Sequence, residues 1–237
     1  IVKADLIVSG ADLHHTETKL LDRQYQTYPD KYWANKNAGP SALLMYLGVK
    51  GELPELEHHS LLFVDKWKEN FESIYEKHEL PKNASIYMSR ATSTDKRLAP
   101  EGNEAVVVLV PWPTGVDVDK KTQDKYVDIY LDAIQKMTGI KDFKDRIVSK
   151  TVVGPNDFKN NYNSWQSTAL GPAHTLKQSA FLRTGNKSKK VSNLYYAGGS
   201  TIPGIGLPMC LISAELVYKH IVNDKSGGPI KDIKKVV

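Results

Sequence analysis

From Leu194 to Ala214 the chain carries no charged side chain, yet the same stretch holds Gly198, Gly199, Pro203, Gly204, Gly206 and Pro208. Three settings accommodate such a stretch: a bilayer, a nucleotide cradle, or a loop that lets another body approach the backbone. The run is long enough for a membrane span of ~20 residues, but its glycines and prolines would break a helix repeatedly and leave backbone groups unpaired in lipid. "GIGLPM" begins like a dinucleotide fingerprint between strand and helix. Met209 stands where the third glycine belongs, and too little chain follows Asp224 to complete a βαβ unit. The third setting fits better. Gly198 and Gly199 end a strand and admit close approach. Pro208 falls at or near the first turn of an apolar helix, where a missing N–H costs nothing. That helix N-terminus offers free N–H groups and a partial positive charge. A flat ligand gaining negative charge at one edge, as reduced flavin does at its N1/C2-carbonyl edge, would be stabilised there. An ordinary buried strand–turn–helix accounts for the same residues equally well.

Other reactive residue types are sparse. Cys210 is the single cysteine, which rules out an intramolecular disulfide and a cysteine-rich zinc site. The pairs His14/His15 and His58/His59 invite a metal reading. Neighbours on a strand point to opposite faces, and no third ligand stands at a suitable spacing, so no metal is expected. The net charge of +5 is almost all lysine, scattered among acids, with arginine only at positions 23, 90, 97, 146 and 183. Nucleic-acid surfaces rely on guanidinium forks and basic clusters, so a nucleic-acid partner is not expected.

The elements around these residues mix strands and helices without strict alternation, which favours a mixed α/β or α+β assembly. "ADLIVSGAD", "PSALLMYLGVKG", "ASIYMS", "EAVVVLVPWP" and "RIVSKTVV" read as strands, and a further strand covers Leu194–Ala197. Trp67, Phe71, Ile74 and Tyr75 stand at helical spacing. Tyr126, Ile129, Tyr130, Ile134 and Met137 share one face of an amphipathic helix that Gly139 can cap. Pro155 can open a helical turn, and a helix runs from about Leu207 to Val222. The tail from Asn223 is polar. The first residue is Ile1, and the opening strand reads as if in mid-fold, so the sequence is expected to be one part of a larger protein.

Several longer segments carry a family resemblance. "GPSALLMYLGVKG" is similar to the "SPSA…YLG" segment of bacterial-type phytoene desaturases, the flavin-dependent carotenoid desaturases of the amine-oxidase-like superfamily. "HHSLLFVDKWKENFESIY" and "LPKNASIYMSRATSTDKRLAPEGNEAVVVLVPWP", with its "TD…LAPEG" run, resemble the family's substrate domain. "SAFLRTGNKSKKVSNLYYAGGSTIPGIGLPMCLISA" resembles the C-terminal flavin motif, usually G-A-G-T-H-P-G-x-G-x-P; Ile202 replaces its histidine. The family's N-terminal G-x-G-x-x-G, which grips the ADP portion of FAD, is absent from these residues.

The resemblance implies the C-terminal part of a two-domain FAD-binding flavoprotein fold with a mixed-sheet substrate domain. Residues 1–20 and 163–237 would belong to the flavin domain and 21–162 to the substrate domain. It implies that Gly198, Gly199, Thr201, Pro203, Gly204, Gly206, Leu207 and Pro208 contact FAD. Arg183 and Asn186 are expected to hold the flavin domain together, with contact to the cofactor as the alternative. The implied reaction moves a hydride from a polyene such as phytoene to FAD and a proton from the adjacent carbon. A hydrocarbon offers no polar handle, so "ALLMYLG" and "VVVLVPW" could wall its site, although most of those residues are expected in the core. Asp95 is the candidate buried carboxylate that steadies developing charge or takes the proton, with Arg97 orienting it; turn capping explains Asp95 otherwise. The expected partners are the apolar polyene, the missing N-terminal FAD-binding half and, peripherally, a membrane on the cytoplasmic side. The chain alone is expected to be colourless and inactive. An amine oxidase, a retinol saturase-like enzyme and a non-catalytic lipid-binding module are the rivals.

Overall fold

The computed structural model describes residues 1–230. Along the chain lie β1 (Ile7–Ser9), α1 (Leu13–His15), α2 (Asp30–Trp33), β2 (Ser41–Lys50), β3 (His59–Leu62), α3 (Trp67–Tyr75), β4 (Ile86–Arg90), β5 (Asn103–Trp112), α4 (Lys120–Thr138), β6 (Ile147–Val153), α5 (Pro155–Tyr162), β7 (Leu194–Tyr196) and α6 (Leu207–Ile221). Two compact units result: Ile1–Gly39 with Asn160–Val237, and the continuous Pro40–Lys159. The boundaries expected near 20 and 162 therefore move to 39 and 159. Residues 21–39 stay with the first unit because Trp33 is buried beside Leu13 and Trp165, the Tyr28 amide donates to Glu17 at 2.7 Å, and the Gly39 amide donates to the Gly171 carbonyl at 2.7 Å.

The continuous unit is a five-stranded sheet in the order β3-β4-β5-β2-β6. Every pairing in it is antiparallel, where a mixed sheet was expected. Alternation sends Leu43, Met45, Leu47 and Val49 of β2 and Val106, Val108, Val110 and Trp112 of β5 into one core with α4. Burying each large apolar side chain contributes roughly 1.5–3 kcal/mol. Trp112 Nε1–H donates to Tyr130 Oη at 2.8 Å, so the indole leaves no orphaned donor in the core.

Helix α4 starts at Asp119, whose carboxylate accepts the Thr122 amide at 2.7 Å, and ends at Gly139, with φ of 79°. Its buried stripe is Val127, Tyr130, Leu131 and Ile134; Tyr126 and Ile129 flank it and Met137 is 40% exposed. The face expected from sequence is thus rotated, because Val127 and Leu131 outcompete Met137 for the sheet. On α3 only Asn70 and Ile74 are buried, and Trp67, Phe71 and Tyr75 lie along its outer side, 64%, 54% and 49% exposed.

The other unit contains a parallel pair, β1 beside β7, with Ile7 opposite Leu194 and Ser9 opposite Tyr196. Leu13, Tyr28, Trp33, Trp165, Leu194 and Tyr196 form its core. Glu17 is fully buried; its carboxylate takes the Tyr196 hydroxyl and ties β7 to the segment after α1.

Candidate functional site

A cavity of about 380 Å³ opens where the parallel strands end. Gly10, Ala11 and Asp12 line it after β1, and Ala197, Gly198 and Gly199 after β7. Open sheets of this kind place ligands beyond the carboxyl ends of their strands. Asp12 is fixed there by the His15 amide at 2.9 Å and the Trp165 amide at 3.2 Å.

The glycine-rich stretch forms the remaining wall. Gly198 and Gly206 have φ of 117° and 108°, and a Cβ on either would meet nothing within 4 Å. Both line the cavity. Open space therefore lies beside both glycines, and their positive φ is a conformation that other residues rarely adopt. Helix α6 begins at Gly206, with Pro208 in its first turn. Its opening amides at Leu207 and Met209 lack intrahelical partners and carry the positive end of the helix dipole.

A buried polar layer supports this loop. Thr201 is 1% exposed; its hydroxyl donates to the Gly198 carbonyl at 2.9 Å and pairs with the Ser213 hydroxyl at 2.8 Å. The Asn186 amide nitrogen lies 3.1 Å from Thr201 Oγ1, 3.2 Å from the Tyr196 carbonyl and 2.9 Å from Ser213 Oγ. Arg183 is 5% exposed and donates only to backbone carbonyls. Arg183 and Asn186 thus brace the loop, as their structural reading anticipated.

Of the eight residues expected to touch a cofactor, Gly198, Gly199, Thr201 and Gly206 line the cavity; Pro203, Gly204, Leu207 and Pro208 do not. Gly204 has a different reason to be glycine: a Cβ there would come within 2.5 Å of the His174 ring. Burial and the Arg183 charge hold the His174 pKa below its ordinary value. Leu207 is 85% exposed. Thr168, Ser200, Ile205 and Cys210 line the cavity without having been expected to touch a ligand; of these, Ser200 and Ile205 lay within the motif itself.

Asp95 is in the other unit, in a surface turn. Its carboxylate accepts the Arg97 amide at 3.0 Å and is bridged by the Arg97 guanidinium at 2.9 and 2.8 Å. These bonds hold its pKa below the ordinary carboxylate value. A buried carboxylate was expected here, but the Asp95 side chain is only partly buried, 36% exposed, and already paired with Arg97, and the turn-capping alternative describes it. The buried acid of the segment is Glu104, 1% exposed, which accepts from the Thr92 hydroxyl and from Lys96 at 3.0 Å, with Arg90 at 3.4 Å. Sequence reasoning missed it because it opens an apolar strand. The same segment lends Leu98, Ala99 and Pro100 to a groove of about 390 Å³ on the sheet face away from α4, beside Tyr46, Gly48 and Val107. The apolar strands therefore divide by parity, one side core and the other groove.

The histidine argument from strand geometry does not hold. His14 and His15 are helical, and His14 packs edge-on to Trp33. The His58 and His59 rings lie 4.3 Å apart, each with Nδ1 bonded, to Thr94 and Tyr87 respectively. Among the described residues no group of three or more His, Cys, Asp or Glu is arranged to hold a metal ion.

No protein-family model matches the chain. Individual proteins do. It is 40% identical over 220 residues to the carotenoid 3,4-desaturase of Haloarcula japonica, covering 93% of this chain. It is 34% identical over 224 residues to the zeta-carotene-forming phytoene desaturase of Myxococcus xanthus, covering 94% of the chain. A 4,4'-diapophytoene desaturase of Staphylococcus aureus is 32% identical over 237 residues, covering 96% of the chain. The chain's homologues are carotenoid desaturases. It spans 44%, 43% and 47% of the lengths of these relatives. Among solved structures, an oxidoreductase from Methanosarcina mazei matches 90% of the chain and 42% of its own, with a TM-score of 0.50 at 15% identity. That likeness supports the mixed α/β fold.

Proposed function

We propose that the chain is part of a FAD-dependent desaturase that dehydrogenates an apolar polyene such as phytoene. The observation that carries this reading is the cavity at the carboxyl ends of β1 and β7, with Gly198 and Gly206 leaving open space at its wall. Bound FAD would supply the hydride acceptor. The chain's own part is to hold it: the Gly198–Gly206 loop and the start of α6 present backbone N–H groups and positive potential to its electron-rich edge. The groove beside Tyr46, Gly48 and Val107 offers the hydrocarbon an apolar surface.

A parallel pair of strands normally lies inside a larger sheet covered on both faces. Ile7 and Val8 of β1 are 48% and 50% exposed. This supports a further segment, carrying the grip on the ADP portion of FAD, as the partner of the first unit. No helix of the described residues is long and apolar enough to cross a membrane. The exposed Trp67, Phe71 and Tyr75 suit the interfacial region of a bilayer, which supports peripheral association with the membrane that holds the substrate.

The deciding experiment is turnover by the flavin-loaded enzyme from the complete reading frame. Phytoene-type polyenes should be converted to products of longer-wavelength absorbance, with no oxidation of amines. Amine turnover would transfer the assignment to an amine oxidase; stoichiometric lipid binding without flavin would make the protein a binding module. Replacing Trp67, Phe71 and Tyr75 by alanine should reduce co-sedimentation with lipid vesicles severalfold.

A further inference from the structure

Four consecutive carbonyls of the cavity loop are each occupied by a side-chain donor, three of them from the Arg183–Thr184 segment. The Gly198 carbonyl accepts from Thr201 Oγ1 at 2.9 Å, and the Gly199 carbonyl accepts from Arg183 Nη2 at 2.6 Å. The Ser200 carbonyl accepts from the Thr184 hydroxyl, and the Thr201 carbonyl from Arg183 Nε at 3.1 Å. Arg183 therefore holds two of the four, and its Nη1 reaches the Pro172 and Gln178 carbonyls at 3.2 and 3.4 Å. Gly198, Gly199, Ser200 and Thr201 all line the cavity.

The amides of the same loop are treated differently. Those of Gly198 and Ile202 are used internally, on Ser213 Oγ and the Thr184 carbonyl. Those of Gly199 and Ser200 donate to no acceptor among the described residues. A loop with its carbonyls occupied and two successive amides free attracts negative charge. The charge on Arg183 adds to this. It is 5% exposed and makes no ion pair with a carboxylate among the described residues. The titratable groups that act on it or feel it are Tyr32 and His174. Burial, with Tyr28 as a neighbour, pushes the Tyr32 hydroxyl up to about 12, so it stays neutral and leaves the guanidinium uncompensated.

We infer that Arg183 is the positioning residue of the cavity: by occupying the Gly199 and Thr201 carbonyls and placing an uncompensated cation behind the loop, it makes the Gly199–Ser200 amides a seat for an anionic oxygen of the ligand. The inference rests on the flavin reading. In FAD the anionic oxygen belongs either to the phosphates or to the reduced ring.

The test compares wild type, Arg183→Lys and Arg183→Met in the flavin-loaded enzyme. The dissociation constant of the reduced flavin rises about tenfold in the Met variant, and the Lys variant, which keeps charge but loses the fork, recovers part of the loss. If the ring provides the anionic oxygen, only the reduced form weakens, and the midpoint potential falls by about 30 mV for a tenfold change in a two-electron couple. If a phosphate provides it, both redox states weaken together and the potential holds. Unchanged affinity in both redox states overturns the inference. Should the Met variant fail to fold, Thr184→Val releases the Ser200 carbonyl without touching the charge, and unchanged FAD affinity there and in the Lys variant overturns it equally. A wild-type enzyme that binds no flavin defeats the functional reading instead. Amide exchange in the chain itself then reads the clamp: faster exchange at Gly198 and Ile202 in Arg183→Lys supports it, and unchanged exchange refutes it.

Discussion

The Ser213 hydroxyl accepts the Gly198 amide at 3.0 Å, which joins the first helical turns of α6 to the last residue of the strand–loop junction. Ser213 is fully buried and also meets Thr201 at 2.8 Å and Asn186 at 2.9 Å. Ser213→Ala removes one oxygen, leaves the Gly198 amide without its acceptor, and takes one hydrogen bond each from Thr201 and Asn186. A loss of about 1–3 kcal/mol is expected, read from denaturant midpoints, with the cavity loop becoming sensitive to proteolysis before global unfolding.

Glu104 predicts an acid limit to stability. Burial alone would raise its pKa, but hydrogen bonds from Thr92 and Lys96 and the charges of Lys96 and Arg90 outweigh burial and hold it below the ordinary value. With the folded-state value depressed, the unfolded chain binds the proton more readily. The contribution is complete above the unfolded value of about 4.3 and is lost as pH falls through the folded one. Thermal scans should show a melting temperature steady from about pH 7 to pH 5 and falling below that. Glu104→Gln lowers stability at neutral pH by about 3 kcal/mol, chiefly through the mostly buried Arg90 left without its carboxylate, Lys96 being open to water, and flattens the acid limb.

Neighbouring valines on β5 should behave oppositely. Val108 is fully buried in the core, so Val108→Asp is expected to prevent folding. Val107 lines the groove on the other side. Val107→Asp should leave the fold intact by circular dichroism and lower polyene turnover at least tenfold. Equal loss of folding in both would remove the groove from consideration.

Asp95 should prove dispensable for chemistry. Asparagine keeps the turn, since it also accepts a backbone amide, and the carboxylate it replaces is half-exposed and already paired with Arg97. Asp95→Asn is expected to keep turnover within a factor of two; a drop of a hundredfold would restore Asp95 as the acid–base group.

Much of this was legible in the residues. The strands of both units other than β3, the start of α6 near Leu207 and the cap at Gly139 follow from local chemistry that tertiary packing does not override, whereas the short β3 went unread. The loop was found because glycine, proline and missing charge leave a local mark. What sits behind it was not: Ser213 and Asn186 become one hydrogen-bonded layer only through contacts between distant segments. Gly204 was assigned to a ligand because sequence cannot reveal that its neighbour is His174. Asp95 was chosen for its type, and only burial separates it from Glu104. Parity told which residues of β2 and β5 alternate, but not which side α4 would cover.

The parallel pairing of β1 with β7 joins the two extremes of the described chain, with the whole of Pro40–Lys159 between them. During synthesis the intervening block can reach its native form while β1 still waits for a mate. Pairing so remote in sequence forms slowly and late, and N-terminal segments emerge first. Ile7 and Val8 therefore stay without the β7 partner until Leu194–Tyr196 has been made, and a chain truncated before Leu194 would carry a finished antiparallel sheet and an orphaned strand, prone to aggregate.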